Sequence, residues 1–259
     1  MYLVDYHTHP YSHGEESVKP AHNLAHLQAF IDKAKKMGIK ELGFSDHDRF
    51  LDQMNWENLI KIKNYEKELS IRLGLEVNFL PGEEEEIKKK LDGLPLDYII
   101  GSVHCLGNWE IDHPDYKDEY NNRDIDRIYT DYFASVKKAA SSGLFDIVGH
   151  FDLVKIFGYR PVKLNLEKLV RPVLEVIKNN GLVMEVNTNG LNKPVQEIYP
   201  ASNLLRMARE LDIPLTFGSD AHSPARAGEK ISYVAGIIKS IGYRQIVVFE
   251  DRRKKVIEI

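Results

Sequence analysis

The chain has 259 residues, 43% hydrophobic and 29% charged, with 35 Lys and Arg against 39 Asp and Glu for a formal net charge of −4. This length can bury a sizeable core, and the apolar content excludes intrinsic disorder. The single cysteine, Cys105, excludes a disulfide scaffold, and no apolar run approaches the roughly 18 residues of a membrane-spanning helix. Mild acidity argues against a protein built to grip nucleic acid. The first twenty residues lack a basic start followed by an apolar run, so the expected location is the cytoplasm.

Short apolar runs punctuate the chain at 2–6, 41–45, 73–77, 97–103, 145–149, 182–186 and 214–218. Several are apolar almost throughout, the pattern of strands covered on both faces. Between them, 24–37, 56–69, 124–141, 166–179 and 202–211 read as helices. Gly38, Gly143 and Gly181 stand just past helical segments, where a left-handed stop is needed. Four glutamates from Glu83 followed by lysines from Lys88 suggest a solvated helix with (i, i+4) pairs. The segment 244–259 reads as a final strand or hairpin. Strand-helix units in this number and order predict one α/β domain over 1–259, a parallel barrel in preference to a doubly wound sheet.

The ten histidines divide by context. At or near the C-terminal ends of six predicted strands stand His7 and His9, His47, Glu76, His104, His150, and Asp220 with His222. In an α/β barrel those ends converge on one face. The two-residue spacings of His7 with His9 and Asp220 with His222 put each pair on one side of an extended chain. Converging imidazoles and carboxylates are ligands for zinc, iron or manganese, and without metal would leave polar atoms needing partners. His13, in the loop after the first strand, lies at the same end. His22 and His26 fall at (i, i+4) and are expected as surface residues of a helix. His113 belongs to a polar loop near the mouth, and strand alternation from His104 predicts Cys105 in the core.

The series His7-Thr-His9, Ser45-Asp-His47, Glu76, Ser102-Val-His104, Gly149-His150-Phe-Asp152 and Ser219-Asp220-Ala-His222 resembles the polymerase and histidinol phosphatase (PHP) superfamily. Within it, the stretches 149–155, 185–191 and 197–200 are most similar to stand-alone histidinol-phosphate phosphatases. The resemblance implies a distorted TIM-like (β/α)7 barrel, two or three divalent metal ions, and hydrolysis of L-histidinol phosphate in histidine biosynthesis. It suggests one metal on His7, His9, Glu76 and Asp220, a second on Glu76, His104 and His150, and a third on His13, His47 and His222. It also makes Arg160 a phosphate clamp, with Asn192 and Lys193 where a second arginine is expected. Lys193 would then supply a less directional charge. Asp48 and Asp152 are candidates by position for protonating the leaving group or orienting the histidines. The implied partner is a small phosphate ester, with neither nucleic acid nor membrane. The alternatives are a PHP phosphoesterase acting on another small ester or on nucleic-acid ends, an amidohydrolase-like enzyme, and a non-enzymatic metal scaffold.

Overall fold

A computed structural model describes residues 1–11 and 22–259. His13 lies outside the described residues. The strands, in chain order, are β1 Leu3–Asp5, β2 Ile39–Phe44, β3 Ser70–Asn78, β4 Tyr98–Ser102, β5 Cys105–Leu106, β6 Trp109–Glu110, β7 Ile147–Val148, β8 Val183–Asn187, β9 Leu215–Gly218, β10 Gln245–Glu250 and β11 Arg253–Glu258. Seven form one sheet in the order β1-β2-β3-β4-β7-β8-β9, every neighbouring pair parallel. Its edges meet: the Tyr6 N–H donates to the Phe217 carbonyl at 2.9 Å, and Thr8 and Ala221 form a parallel bridge. The result is the expected TIM-like (β/α)7 barrel, nearly closed.

Each barrel strand is followed by a helix: α1 Leu24–Lys36, α2 Trp56–Tyr65, α3 Glu84–Leu91, α4 Ile125–Ser141, α5 Leu166–Asn179, α6 Ser202–Glu210 and α7 Ile231–Ile241. Side chains of Asn23, Asn55, Asp124 and Asn165 accept from first-turn N–H groups and so fix where four of them begin. The glycines foreseen as stops all have left-handed backbone, with φ of 76° at Gly38, 73° at Gly143 and 64° at Gly181. Helix α7 was not anticipated. Its buried set Ile231, Val234, Ala235 and Ile238 has the helical spacing i, i+3, i+4, i+7, with Ser232 and Tyr233 turned to solvent. The chain ends in the antiparallel hairpin β10–β11. Phe249 on β10 lies 6.1 Å, centroid to centroid, from both Tyr6 and Tyr98, while Arg252 N–H donates to the Asp97 carbonyl just before β4. The hairpin therefore plugs the end of the barrel where strands begin, leaving the other end for chemistry. Among the described residues, no helix is long and apolar enough to cross a membrane.

Candidate metal centre

At the C-terminal ends of the strands the expected ligands converge on one carboxylate. Glu76, buried on β3, has five imidazoles around it: His47 Nδ1 and His150 Nε2 at 2.8 Å, His7 Nε2 at 3.2 Å, His104 Nε2 at 3.3 Å and His9 Nε2 at 3.4 Å. Asp220 lies 3.3 Å from His9 Nε2 and 3.5 Å from His222 Nδ1. Eight of the nine residues expected as ligands thus share one site. Their ligand atoms form four overlapping triads, each within 4.8 Å: His7, His9 and Glu76; His7, His150 and Asp220; His47, Glu76 and His104; His9, His47 and His222.

These triads pass a chemical test for metal. His7 Nδ1 meets Glu185 Oε1 at 2.7 Å, which assigns the ring proton to that nitrogen and leaves the Nε2 lone pair facing the Glu76 carboxylate. Two acceptors in that relation require a proton or a cation between them. His7 Nε2, both nitrogens of His9, Glu76 Oε2 and His150 Nδ1 are all buried without a hydrogen-bond partner. Burial alone would lower the His7 pKa, yet Glu185, Glu76 and Asp220 outweigh it and hold the group well above its ordinary value. Burial, reinforced by His222 and His47, instead drives His9 well below. Glu76 and Asp220 are held far below the usual carboxylate range: burial opposes ionisation, but the surrounding imidazoles prevail. An anionic pair ringed by imidazole nitrogens is a donor set for divalent cations of the zinc, iron and manganese type, which bind as those nitrogens give up their protons.

Support comes from residues that patterns of strand and spacing do not single out. Glu185, on β8, also accepts from the His150 N–H at 2.7 Å and from Asn187 Nδ2 at 3.2 Å. Gly218 allows this: a Cβ there would collide with both Glu185 Oε1 and His7 Cβ. Asn189 Nδ2 donates to Asp220 Oδ2 at 2.9 Å, and Arg226 Nη2 donates to Asn189 Oδ1 at 2.8 Å. For these residues the only signal was inclusion of Glu185 and Asn189 in a stretch resembling known phosphatases.

Other expectations need correction. His22 is not a surface helical residue. It precedes the cap Asn23 with left-handed backbone, φ 57°, and this turns its ring inward, where Nε2 meets Asp46 Oδ2 at 2.6 Å and Nδ1 accepts from the Asn55 N–H at 3.2 Å. His26 is half-buried with its ring edge-on to Phe30. Cys105 is half-buried on the cavity wall, 3.7 Å from Asn78 Nδ2, because β4 ends at Ser102 and the pleat does not carry through to β5. His113 is exposed at the mouth, as expected for its loop.

The site opens into a cavity of about 410 Å³. Lys193 lines it, as do Arg49 and Lys90, and its walls also carry Asp48, Glu83, Glu110 and Asp112. Arg160 is not among the lining residues; its Nη2 donates to Glu197 Oε1 at 2.7 Å. Asp152 is likewise set back, with Oδ2 at 2.8 Å from Lys155 Nζ and 3.0 Å from the Ala201 N–H.

Comparison with known proteins agrees with this geometry. The family model for the PHP domain matches residues 5–189. A probable histidinol-phosphatase of Deinococcus radiodurans is 38% identical over 268 aligned positions, covering 97% of this chain and 98% of its own. The histidinol-phosphatase of Bacillus subtilis is 31% identical over 239 positions, covering 78% and 89%. The crystal structure of histidinol phosphate phosphatase from Lactococcus lactis, complexed with zinc, L-histidinol and phosphate, has the same fold, with a TM-score of 0.78 at 21% identity over 98% of each chain.

Proposed function

Because the chain belongs to the PHP domain family, we propose that it is a metal-dependent phosphatase that hydrolyses L-histidinol phosphate to L-histidinol and phosphate, in histidine biosynthesis. The observation that carries the substrate is the end-to-end identity of 38% with a probable histidinol-phosphatase. The observation that supports the chemistry is the ring of imidazoles around Glu76. Two or three ions of zinc, iron or manganese would be held, by His7, His9, Glu76 and Asp220, by Glu76, His104 and His150, and by His47 and His222 with His13. When bound, such ions supply positive charge to the phosphate dianion and bring the pKa of water toward about 7.

The chain's own residues do the rest. Glu185 holds the His7 ring and the His150 backbone, so their ligand nitrogens stay aimed at the site. Asn189 holds Asp220 in the same way. Lys193 supplies a mobile cation for phosphate at the wall, and Arg160 a second once it exchanges Glu197 for the substrate. Glu83, Glu110 and Asp112 among the lining residues suit the ammonium of histidinol. The reading places the enzyme in the cytoplasm.

The test is phosphate release by purified, metal-replete protein from histidinol phosphate, a generic aryl phosphate, a sugar phosphate and a 3′-phosphorylated oligonucleotide. Histidinol phosphate is expected to give the highest kcat/KM. Preference for any other ester would leave a metal phosphoesterase with a different substrate.

A further inference from the structure

Tyr199, in the loop after β8, forms part of the cavity wall and is 1% exposed. Its hydroxyl has no hydrogen-bond partner among the described residues. Such a buried orphan is unfavourable and rare, and in a ligand cavity it marks a place where the ligand completes the bond.

The ring carrying this hydroxyl is fixed on several sides. The Tyr199 N–H donates to the Asn187 carbonyl at 3.0 Å, and the Asn187 N–H donates back to the Tyr199 carbonyl at 2.6 Å. Lys155 Nζ lies 5.2 Å from the ring centroid, itself held by the Ile198 carbonyl at 2.7 Å, Asp152 at 2.8 Å and Glu197 at 3.2 Å. Gly190 leaves room for the ring edge, since a Cβ there would meet it along with the Glu197 carbonyl. The ring stands edge-on to His150, 6.4 Å between centroids. A preset O–H group therefore lies at the metal end of the cavity. A phosphate dianion brings only acceptors, whereas an ammonium brings only donors. The phenol, with an ordinary pKa of about 10, keeps its proton at neutral pH.

We propose that the Tyr199 hydroxyl donates a hydrogen bond to a phosphoryl oxygen of the substrate. This rests on the phosphatase reading above. It adds a neutral, preorganised donor where charge develops on the phosphoryl oxygens, in a position that needs no rearrangement during the reaction.

Tyr199→Phe tests it, because the ring, its packing and the Lys155 contact remain. Loss of a hydrogen bond to a charged group predicts a fall of about 10- to 100-fold in kcat/KM for histidinol phosphate. Inhibition by inorganic phosphate should weaken, while inhibition by L-histidinol, metal content and Tm should match the parent. Unchanged kcat/KM with unchanged phosphate inhibition would overturn the proposal. So would equal weakening toward phosphate and histidinol, or loss of metal from the variant, since each makes Tyr199 a structural prop. Should the parent prefer another ester, the substrate reading fails separately. Phosphate affinity of parent and variant, read by thermal shift, then still decides: weaker binding by the variant upholds the Tyr199 contact, and equal binding removes it.

Discussion

A ligand is only as good as the group that holds it, and Glu185 holds two. One oxygen takes the His7 Nδ1 proton and the other takes the His150 N–H. Glu185→Gln keeps the size and removes the charge, leaving His7 a weaker acceptor and a less basic ring. Metal affinity, measured by titration of the stripped protein, is expected to fall about 10- to 100-fold, the usual cost of removing a partner behind a metal-binding histidine. Unchanged affinity would mean that His7 is oriented by packing alone. Glu185 also shows where residue-level reading stops. Apart from Glu76, the ligands were readable because each stands just past an apolar run, and because His7 with His9 and Asp220 with His222 have strand spacing. Glu185 sits inside such a run, as Glu76 does, where a buried carboxylate discloses nothing of its partners until β8 is laid beside β7 and the barrel closes on β1. His22 failed for a different reason: its (i, i+4) relation to His26 reads as helix, and only the left-handed backbone at His22 turns the ring toward Asp46.

At the scale of elements, the loop after β7 is tied to the loop after β8 through charge. Lys155 reaches Asp152 on its own loop and Glu197 on the other, and Glu197 also pairs with Arg160. Burial by itself would raise the Glu197 pKa, but Lys155 and Arg160 outweigh it and bring it below its ordinary value. A carboxylate depressed in the folded state adds stability that is fully present above its unfolded pKa of about 4.3 and is lost as pH falls through the folded value. Glu197→Gln should therefore melt below the parent at pH 7, with the gap closing below about pH 4. Glu197 is 45% exposed, so solvent screens the pair. An exposed ion pair at this chain length is worth about 1–3 °C in Tm. Thermal melts of both proteins from pH 7 to pH 3 would show it, and a gap independent of pH would assign the loss to packing. The tie also takes up Arg160, expected as a phosphate clamp, whose guanidinium donates to Glu197 and is not among the residues lining the cavity. By contrast, strands and most helices were readable because burial imposes a period on them. A loop-to-loop ion pair such as Lys155 with Glu197 has none.

For the whole molecule, the two ends of the barrel differ in what they cost to keep folded. The end plugged by Phe249, Tyr6 and Tyr98 is an apolar and aromatic cluster that needs no cofactor. The opposite end gathers Glu76, Asp220 and Glu185 with six of the ten histidines, several of their atoms buried and unpartnered. Cations that bind this arrangement find no equivalent in the unfolded chain, where the ligands are scattered from residue 7 to residue 222. Binding therefore stabilises the fold by mass action, about 2.7 kcal/mol for one ion at a hundred times its dissociation constant. At about 2–4 °C per kcal/mol for a chain of this size, chelation should lower Tm by about 5–10 °C while abolishing phosphate release. Returning zinc or manganese should restore both together. Differential scanning calorimetry of replete, stripped and reconstituted protein, with activity measured on the same samples, checks this. If stripped protein melted at the replete temperature and kept its activity, the buried imidazoles around Glu76 would be an ion-pair network closed by protons, and the metal-dependent reading of the barrel would be lost.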